Sequence, residues 1–203
     1  MSADSTAFSE RSATVARRTR ETDITVRFSL DGEGRSAADT GIGFLDHMLE
    51  LFAAHGRFDL EVRAKGDLQT GGHHTVEDVG ICLGAALAQA LGDKAGIVRY
   101  GSSLLPMDEA LALVSLDLSG RPYLAYGVDV PNTSIGGFDT DLTVEFFQAL
   151  VNNACLTLHV RLLAGSNPHH IVEAVFKGFA RALAQATRLD ARGGGVPSTK
   201  GVL

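Results

Sequence analysis

The chain has 203 residues, enough for one sizeable domain or two small halves, since domains cluster at roughly 100–200 residues. Apolar residues make up 45% and charged residues 21%, a globular balance that excludes wholesale disorder. A net charge of −6 excludes a dominant basic face, so nucleic acid is not an expected partner.

Residues 1–14 are polar and rich in Ser, Ala and Thr, and are expected to form a flexible tail. They contain no continuous apolar core of a signal peptide, and nothing downstream approaches the roughly 18 apolar residues of a membrane span. A cytoplasmic protein with no membrane association is therefore expected. Cys82 and Cys155 stand apart among apolar neighbours, in keeping with a reducing compartment.

Residues 15–98 read as a first half. Strands are expected over Arg17–Arg20 and Ile24–Leu30, a helix over Ile42–Ala54, a strand over Phe58–Ala64 and a helix over His73–Leu91. Residues 99–190 repeat the order, with strands at Leu111–Leu118 and Tyr123–Val130, a helix at Leu142–Ala154, a strand at Leu156–Leu163 and a helix at Pro168–Thr187. Asn167 can cap the last helix and Pro168 suits its first position. Residues match as well as element types. Leu60-Glu-Val-Arg resembles Leu158-His-Val-Arg at an offset of 98, and His73-His-Thr-Val-Glu77 resembles His169-His-Ile-Val-Glu173 at an offset of 96. The expected fold is α+β: an internal duplication of two ββαβα halves, with helices laid against antiparallel-rich sheets.

The repeated dyads carry the chemistry. Imidazole and carboxylate are common metal donors, and residues three or four apart share a helix face, so each dyad can offer a histidine together with Glu77 or Glu173. Adjacent histidines diverge by roughly 100° around a helix, so each dyad is expected to give one imidazole to each of two ions. A lone His-His pair is usually a solvated surface feature. Two copies with the same glutamate spacing, using four of the seven histidines, favour metal. The N/O donor set suits Mn²⁺ and leaves Zn²⁺, Fe²⁺ or Ni²⁺ open. Under the duplication His47 maps onto Glu145, a further candidate ligand, with His159 as its substitute.

In residues 191–203, Gly193-Gly-Gly-Val-Pro-Ser-Thr-Lys-Gly201 offers backbone amides, Ser198 and Lys200 as a phosphate cradle. Its order is not that of a Walker loop. Arg99, Arg121 and Lys177 are further cations, and Lys177 stands four residues after Glu173 on the ligand-bearing side of its helix. His55, eight residues after His47 on the same helix, is a candidate substrate contact.

The segments Gly43-Phe-Leu-Asp-His-Met-Leu49, His73-His-Thr-Val-Glu-Asp-Val-Gly80, Asp117-Leu-Ser-Gly-Arg-Pro122, Leu158-His-Val160, His169-His-Ile-Val-Glu-Ala-Val-Phe-Lys177 and Pro197-Ser-Thr-Lys-Gly201 together resemble the imidazoleglycerol-phosphate dehydratase family, from about Arg17 to Leu203. The resemblance implies dehydration of imidazole glycerol phosphate to imidazole acetol phosphate in histidine biosynthesis. It further implies a β-α-α-β sandwich, two Mn²⁺ ions per site, and a 24-mer built from trimers with sites at subunit interfaces. Carried over, the metal ligands are His47, His73, His74, Glu77, His169, His170 and Glu173, with Glu145 at the eighth place, where many relatives have histidine. Arg99, Arg121, Lys177, Ser198 and Lys200 match phosphate-binding positions. Glu21 matches a substrate-contacting glutamate, and Glu21, Glu77 and Glu173 are the candidate proton carriers.

Overall fold

The computed structural model describes residues 11–191, 193–201 and 203. In the first half, β1 (Ser12–Arg18), β2 (Thr22–Ser29), β3 (Ser36–Asp39), α1 (Gly43–Gly56), β4 (Asp59–Gly66) and α2 (His73–Leu91) follow in order. In the second come β5 (Tyr100–Met107), β6 (Ala110–Asp117), β7 (Tyr123–Gly127), a short hairpin of β8 (Ser134–Ile135) and β9 (Phe138–Asp139), α3 (Leu142–Ala154), β10 (Thr157–Ala164) and α4 (Pro168–Thr187).

The two sheets have the same topology, β1-β2-β4-β3 and β5-β6-β10-β7. In each, the first three strands pair antiparallel and the last joins in parallel. Strand alternation explains which face each sheet buries. Ile24, Val26 and Phe28 of β2, like Ala112, Val114 and Leu116 of β6, point inward and are buried, while Asp23 and Arg27, or Leu113 and Ser115, point out. Helix α2 covers β1 and β2, α4 covers β5 and β6, and the helix pairs α2–α3 and α1–α4 meet in the middle. The result is the expected β-α-α-β sandwich, with a continuous apolar core through all four layers.

Each half carries one more sheet strand than expected, β3 in the first and β5 in the second, so the order is βββαβα with the short β8–β9 hairpin added in the second half. The short β3, Ser-Ala-Ala-Asp, has no β-branched residue to mark it. β5 contains Gly101 and Pro106, which argue against a central strand; it is an edge, where Pro is tolerated. β1 begins at Ser12, inside the expected tail, because Ala13 and Val15 pack on the core. Residues 1–10 lie outside the described residues. β7 stops at Gly127 rather than Val130. Cys82 and Cys155 are free, and burial pushes the Cys82 thiol up to about 11. Among the described residues no helix is long and apolar enough to cross a membrane.

Candidate active site

All four helices begin at one end of the molecule. A Cβ on Gly72, just before α2, would lie 3.2 Å from Ile42 Cδ1, which precedes α1, and 3.4 Å from Leu142 Cδ1, the first residue of α3. The Phe44 ring in α1 stands 5.0 Å from His169 in α4 and 5.6 Å from Phe138, just ahead of α3. Asn167 caps α4 as expected, its side chain accepting from the His169 amide at 2.9 Å, with Pro168 in the first turn.

Because α1 packs on α4, His47 meets the second dyad. His47, His169 and Glu173 each offer one ligand atom, and the three atoms lie within 4.8 Å of one another. His169 Nε2 is 3.0 Å and His47 Nε2 3.9 Å from Glu173 Oε2. Two imidazoles and one carboxylate without sulfur fit a hard or borderline divalent cation such as Mn²⁺. Glu173 is only 5% exposed, and a buried carboxylate requires partners. Desolvation acts upward on it, but the Lys177 ammonium and His169 outweigh that and hold it below the usual carboxylate range. Glu173 is thus a buried anion with a donor oxygen facing two imidazoles.

The first dyad is looser. His73 Nε2 lies 3.9 Å from Glu77 Oε2. Glu145 is half-buried in the first turn of α3, and no hydrogen bond or ion pair joins it to His73 or Glu77 among the described residues. His159 does not reach this end. It stands on the outer face of β10, 5.9 Å from the Tyr123 ring, because its neighbours Leu158 and Val160 take the inward positions.

Within each dyad the two ring planes are nearly perpendicular, at 88° for His73 and His74 and 80° for His169 and His170. His74 Nδ1 lies 3.1 Å from Asp67 Oδ2, and His170 Nδ1 lies 2.7 Å from Glu109 Oε2. Asp67, and after it the charge of Glu21 on the β1–β2 turn, raises the His74 pKa; Glu109 raises that of His170. The His170 hydrogen bond and then the Asn167 and Ser166 amides hold Glu109 down at about 2. Sequence reasoning missed Asp67 and Glu109. Both reach the dyads from loops, and no helical spacing signals them.

His55 lies near the end of α1, about 12 Å along the helix from His47. Burial first, then the charges of Lys177 and Arg181, lowers its pKa, which keeps it neutral beside two cations.

The expected anion binders gather at the opposite end. Arg99, Arg121, Ser198 and Lys200, with Tyr100, Pro197, Thr199 and Leu203, line a cavity of about 590 Å³. Arg99 donates to both Asp117 oxygens, at 2.7 and 3.1 Å, and to the Pro197 carbonyl at 2.8 Å, pinning the C-terminal segment in place. Lys177 is not part of this cavity. It sits beside the His47–His169–Glu173 cluster, paired with Glu173 and 3.6 Å from Met107 Sδ.

A duplicated sandwich with imidazole and carboxylate donors at its helix starts, and a separate basic cavity, defines an α+β enzyme with an N/O donor centre. The imidazoleglycerol-phosphate dehydratase family model matches residues 40–183. The imidazoleglycerol-phosphate dehydratase of Acetivibrio thermocellus is 59% identical over 194 residues, covering 96% of this chain and 100% of that protein. The crystal structure of the Staphylococcus aureus imidazoleglycerol-phosphate dehydratase superposes with a TM-score of 0.80 at 42% identity, over 88% of this chain and 99% of that one. The IGPD structure from Pyrococcus furiosus gives 0.81 at 41%, over 93% and 100%. The chain belongs to the imidazoleglycerol-phosphate dehydratase family and is an enzyme of the dehydratase type.

Proposed function

We propose that this chain catalyses the metal-dependent loss of water from D-erythro-imidazole glycerol phosphate, giving imidazole acetol phosphate, as a step of L-histidine biosynthesis in the cytoplasm. The observation that carries the metal dependence is the convergence of His47, His169 and Glu173 within 4.8 Å. Two Mn²⁺ ions per site are the expected cofactors, held by those residues with His73, His74, Glu77, His170 and Glu145. The hydrogen to be removed is not acidic beside an ordinary alcohol, and divalent cations held by these residues would supply the Lewis acidity that stabilises negative charge developing during the elimination. The chain's own part is to position and move protons. Glu21 has no hydrogen-bond partner for its carboxylate among the described residues and lies beside His74, so it is free to exchange a proton with substrate. Glu173, kept ionised by Lys177, is the second proton carrier, with Glu77 as its counterpart in the other half. His55, neutral, can hydrogen-bond substrate.

We infer that the active site is completed between chains. Arg99 N donates to the Ala186 carbonyl, which puts the anion cavity beside the far end of α4. Seventeen residues of helix separate Ala186 from His169, or about 25 Å. A ring and a phosphate joined by three carbons cannot bridge that distance, so the metal donors of one subunit must face the Arg99 cavity of another. A 24-mer built from trimers is the assembly proposed. Leu104 and Leu113, cross-strand partners on the outer face of the second sheet, are 59% and 38% exposed and supply apolar surface for self-association.

The test is a dehydratase assay on metal-stripped protein with Mn²⁺ added back, beside His73→Ala and Glu173→Gln. The reading requires activity that vanishes on stripping, returns with Mn²⁺ and is lost in both variants. Undiminished turnover in the stripped protein would refute it.

A further inference from the structure

The registers of the two sheets make a residue-by-residue map of the duplication that the motif offsets do not contain. Arg18 pairs with Asp23 in the β1–β2 hairpin, and Pro106 pairs with Leu111 in the β5–β6 hairpin, so the hairpins correspond at an offset of 88. Thr19, whose amide donates to the Thr22 carbonyl at 2.9 Å, and Thr22 then match Met107 and Ala110, so Arg20-Glu21 and Asp108-Glu109 are equivalent hairpin tips and Glu21 is the counterpart of Glu109. Both glutamates face the second histidine of a dyad, yet they do different things. The Glu109 carboxylate accepts from His170 Nδ1 at 2.7 Å through one oxygen, and through the other from the Asn167 and Ser166 amides at 2.7 and 3.2 Å. Glu21 makes no such bond. In the first half Asp67 accepts from His74 Nδ1, an arrangement the second half cannot copy, since Gly165 stands at the matching place after β10.

A carboxylate can only accept, so each of these bonds fixes the proton on Nδ1 and leaves the Nε2 lone pair free. That is the tautomer a cation needs, and the ring is aimed as well as prepared. Resting on the metal-dependent reading above, we propose that Glu109 and Asp67 are the positioning residues of His170 and His74, recruited from different loops of the duplicated fold, and that Asp67 thereby releases Glu21 for work on substrate. In the second half the hairpin glutamate holds the ligand. In the first half a loop aspartate has taken that task.

The test is direct titration of Mn²⁺ into the metal-free protein, reading free ion by its paramagnetic resonance, for wild type and for Glu109→Gln, Glu109→Ala, Asp67→Asn and Glu21→Gln. Thermal unfolding of each metal-free variant shows whether it is folded. Removing a carboxylate behind a ligating imidazole costs about 10–100-fold in metal affinity. The full loss is expected for Glu109→Ala, with a smaller one for Glu109→Gln and Asp67→Asn, whose amide oxygens still accept. Glu21→Gln should bind Mn²⁺ as wild type does while losing turnover. Folded Asp67→Asn and Glu109→Gln variants with unchanged affinity, or a Glu21→Gln variant that binds as poorly as they do, would overturn the assignment. Should wild type itself bind no Mn²⁺, the metal reading falls first, and the two failures are thereby told apart.

Discussion

The two helix seams at the centre of the sandwich are built from duplicated segments but packed by opposite means. At the α2–α3 seam a Cβ on Gly80 would lie 2.7 Å from Phe146 O, and one on Gly84 2.5 Å from Leu150 O, so the backbones touch. At the α1–α4 seam Phe52 stacks on Phe179 at 5.7 Å, and rings hold the helices apart. The chemistry divides the same way. The α1–α4 seam carries His47, Glu173, Lys177, Arg181 and His55, whereas the 96-residue offset places Ile81 and Ala85 opposite Lys177 and Arg181. Duplication thus copied the donors at the helix starts, while the seam below them diverged into one tight contact and one polar flank. The sheets diverge too: the outer face of the first carries Arg27 and Arg63 paired with Glu61, and that of the second carries Leu104 and Leu113.

The largest expected effect tests whether the donors themselves are still equivalent. Glu173→Gln is expected to lower kcat by about 10²–10⁴-fold, and Glu77→Gln to do the same; a silent Glu77→Gln would mean that only one half works. Phe179→Ala should empty the ring-spaced seam and cost about 3–5 kcal/mol in urea unfolding. Gly84→Ala, forcing a methyl group against the Leu150 carbonyl of the tight seam, should cost about 1–3 kcal/mol by the same measurement. Equal tolerance at both positions would dissolve the contrast. The smallest effect is on pH. His74 and His170 titrate above the ordinary histidine value in the metal-free chain, so protons compete for them already on the alkaline side of about 6.5. Acidification through their raised pKa values is expected to weaken Mn²⁺ binding by about tenfold per unit for each proton displaced, checked by titrations at several pH values.

Much of this was legible in the chain. The bounds of α2, α3 and α4 follow from apolar stripes, and for α4 also from Asn167-Pro168, because capping and amphipathicity are local. β3 and β5 were not legible: one is too short to show a period, and the other is an edge in which Gly101 and Pro106 break the pattern. The repeated His-His-x-x-Glu pairs marked the candidate donors, and of these the fold brings His169 and Glu173 together with His47. Asp67 and Glu109 stayed hidden because a carboxylate that orients a histidine from a neighbouring loop leaves no spacing in the chain. The gap between the His169–Glu173 cluster and the Arg99 cavity was hidden as well, since it is a property of a long helix with candidate binding groups at each end. Lys177, which its spacing set one turn beyond Glu173, pairs with that carboxylate in the structure.

That gap gives the account its most direct test. Glu173→Gln chains and Arg99→Ala chains, each inactive alone, are co-assembled and assayed for dehydratase activity. If one subunit's donors face another's cavity, some sites in the mixed oligomer receive two intact contributions and activity returns. If each site is built from one chain, every site keeps a lesion, and a mixture that assembles yet stays inactive contradicts the account.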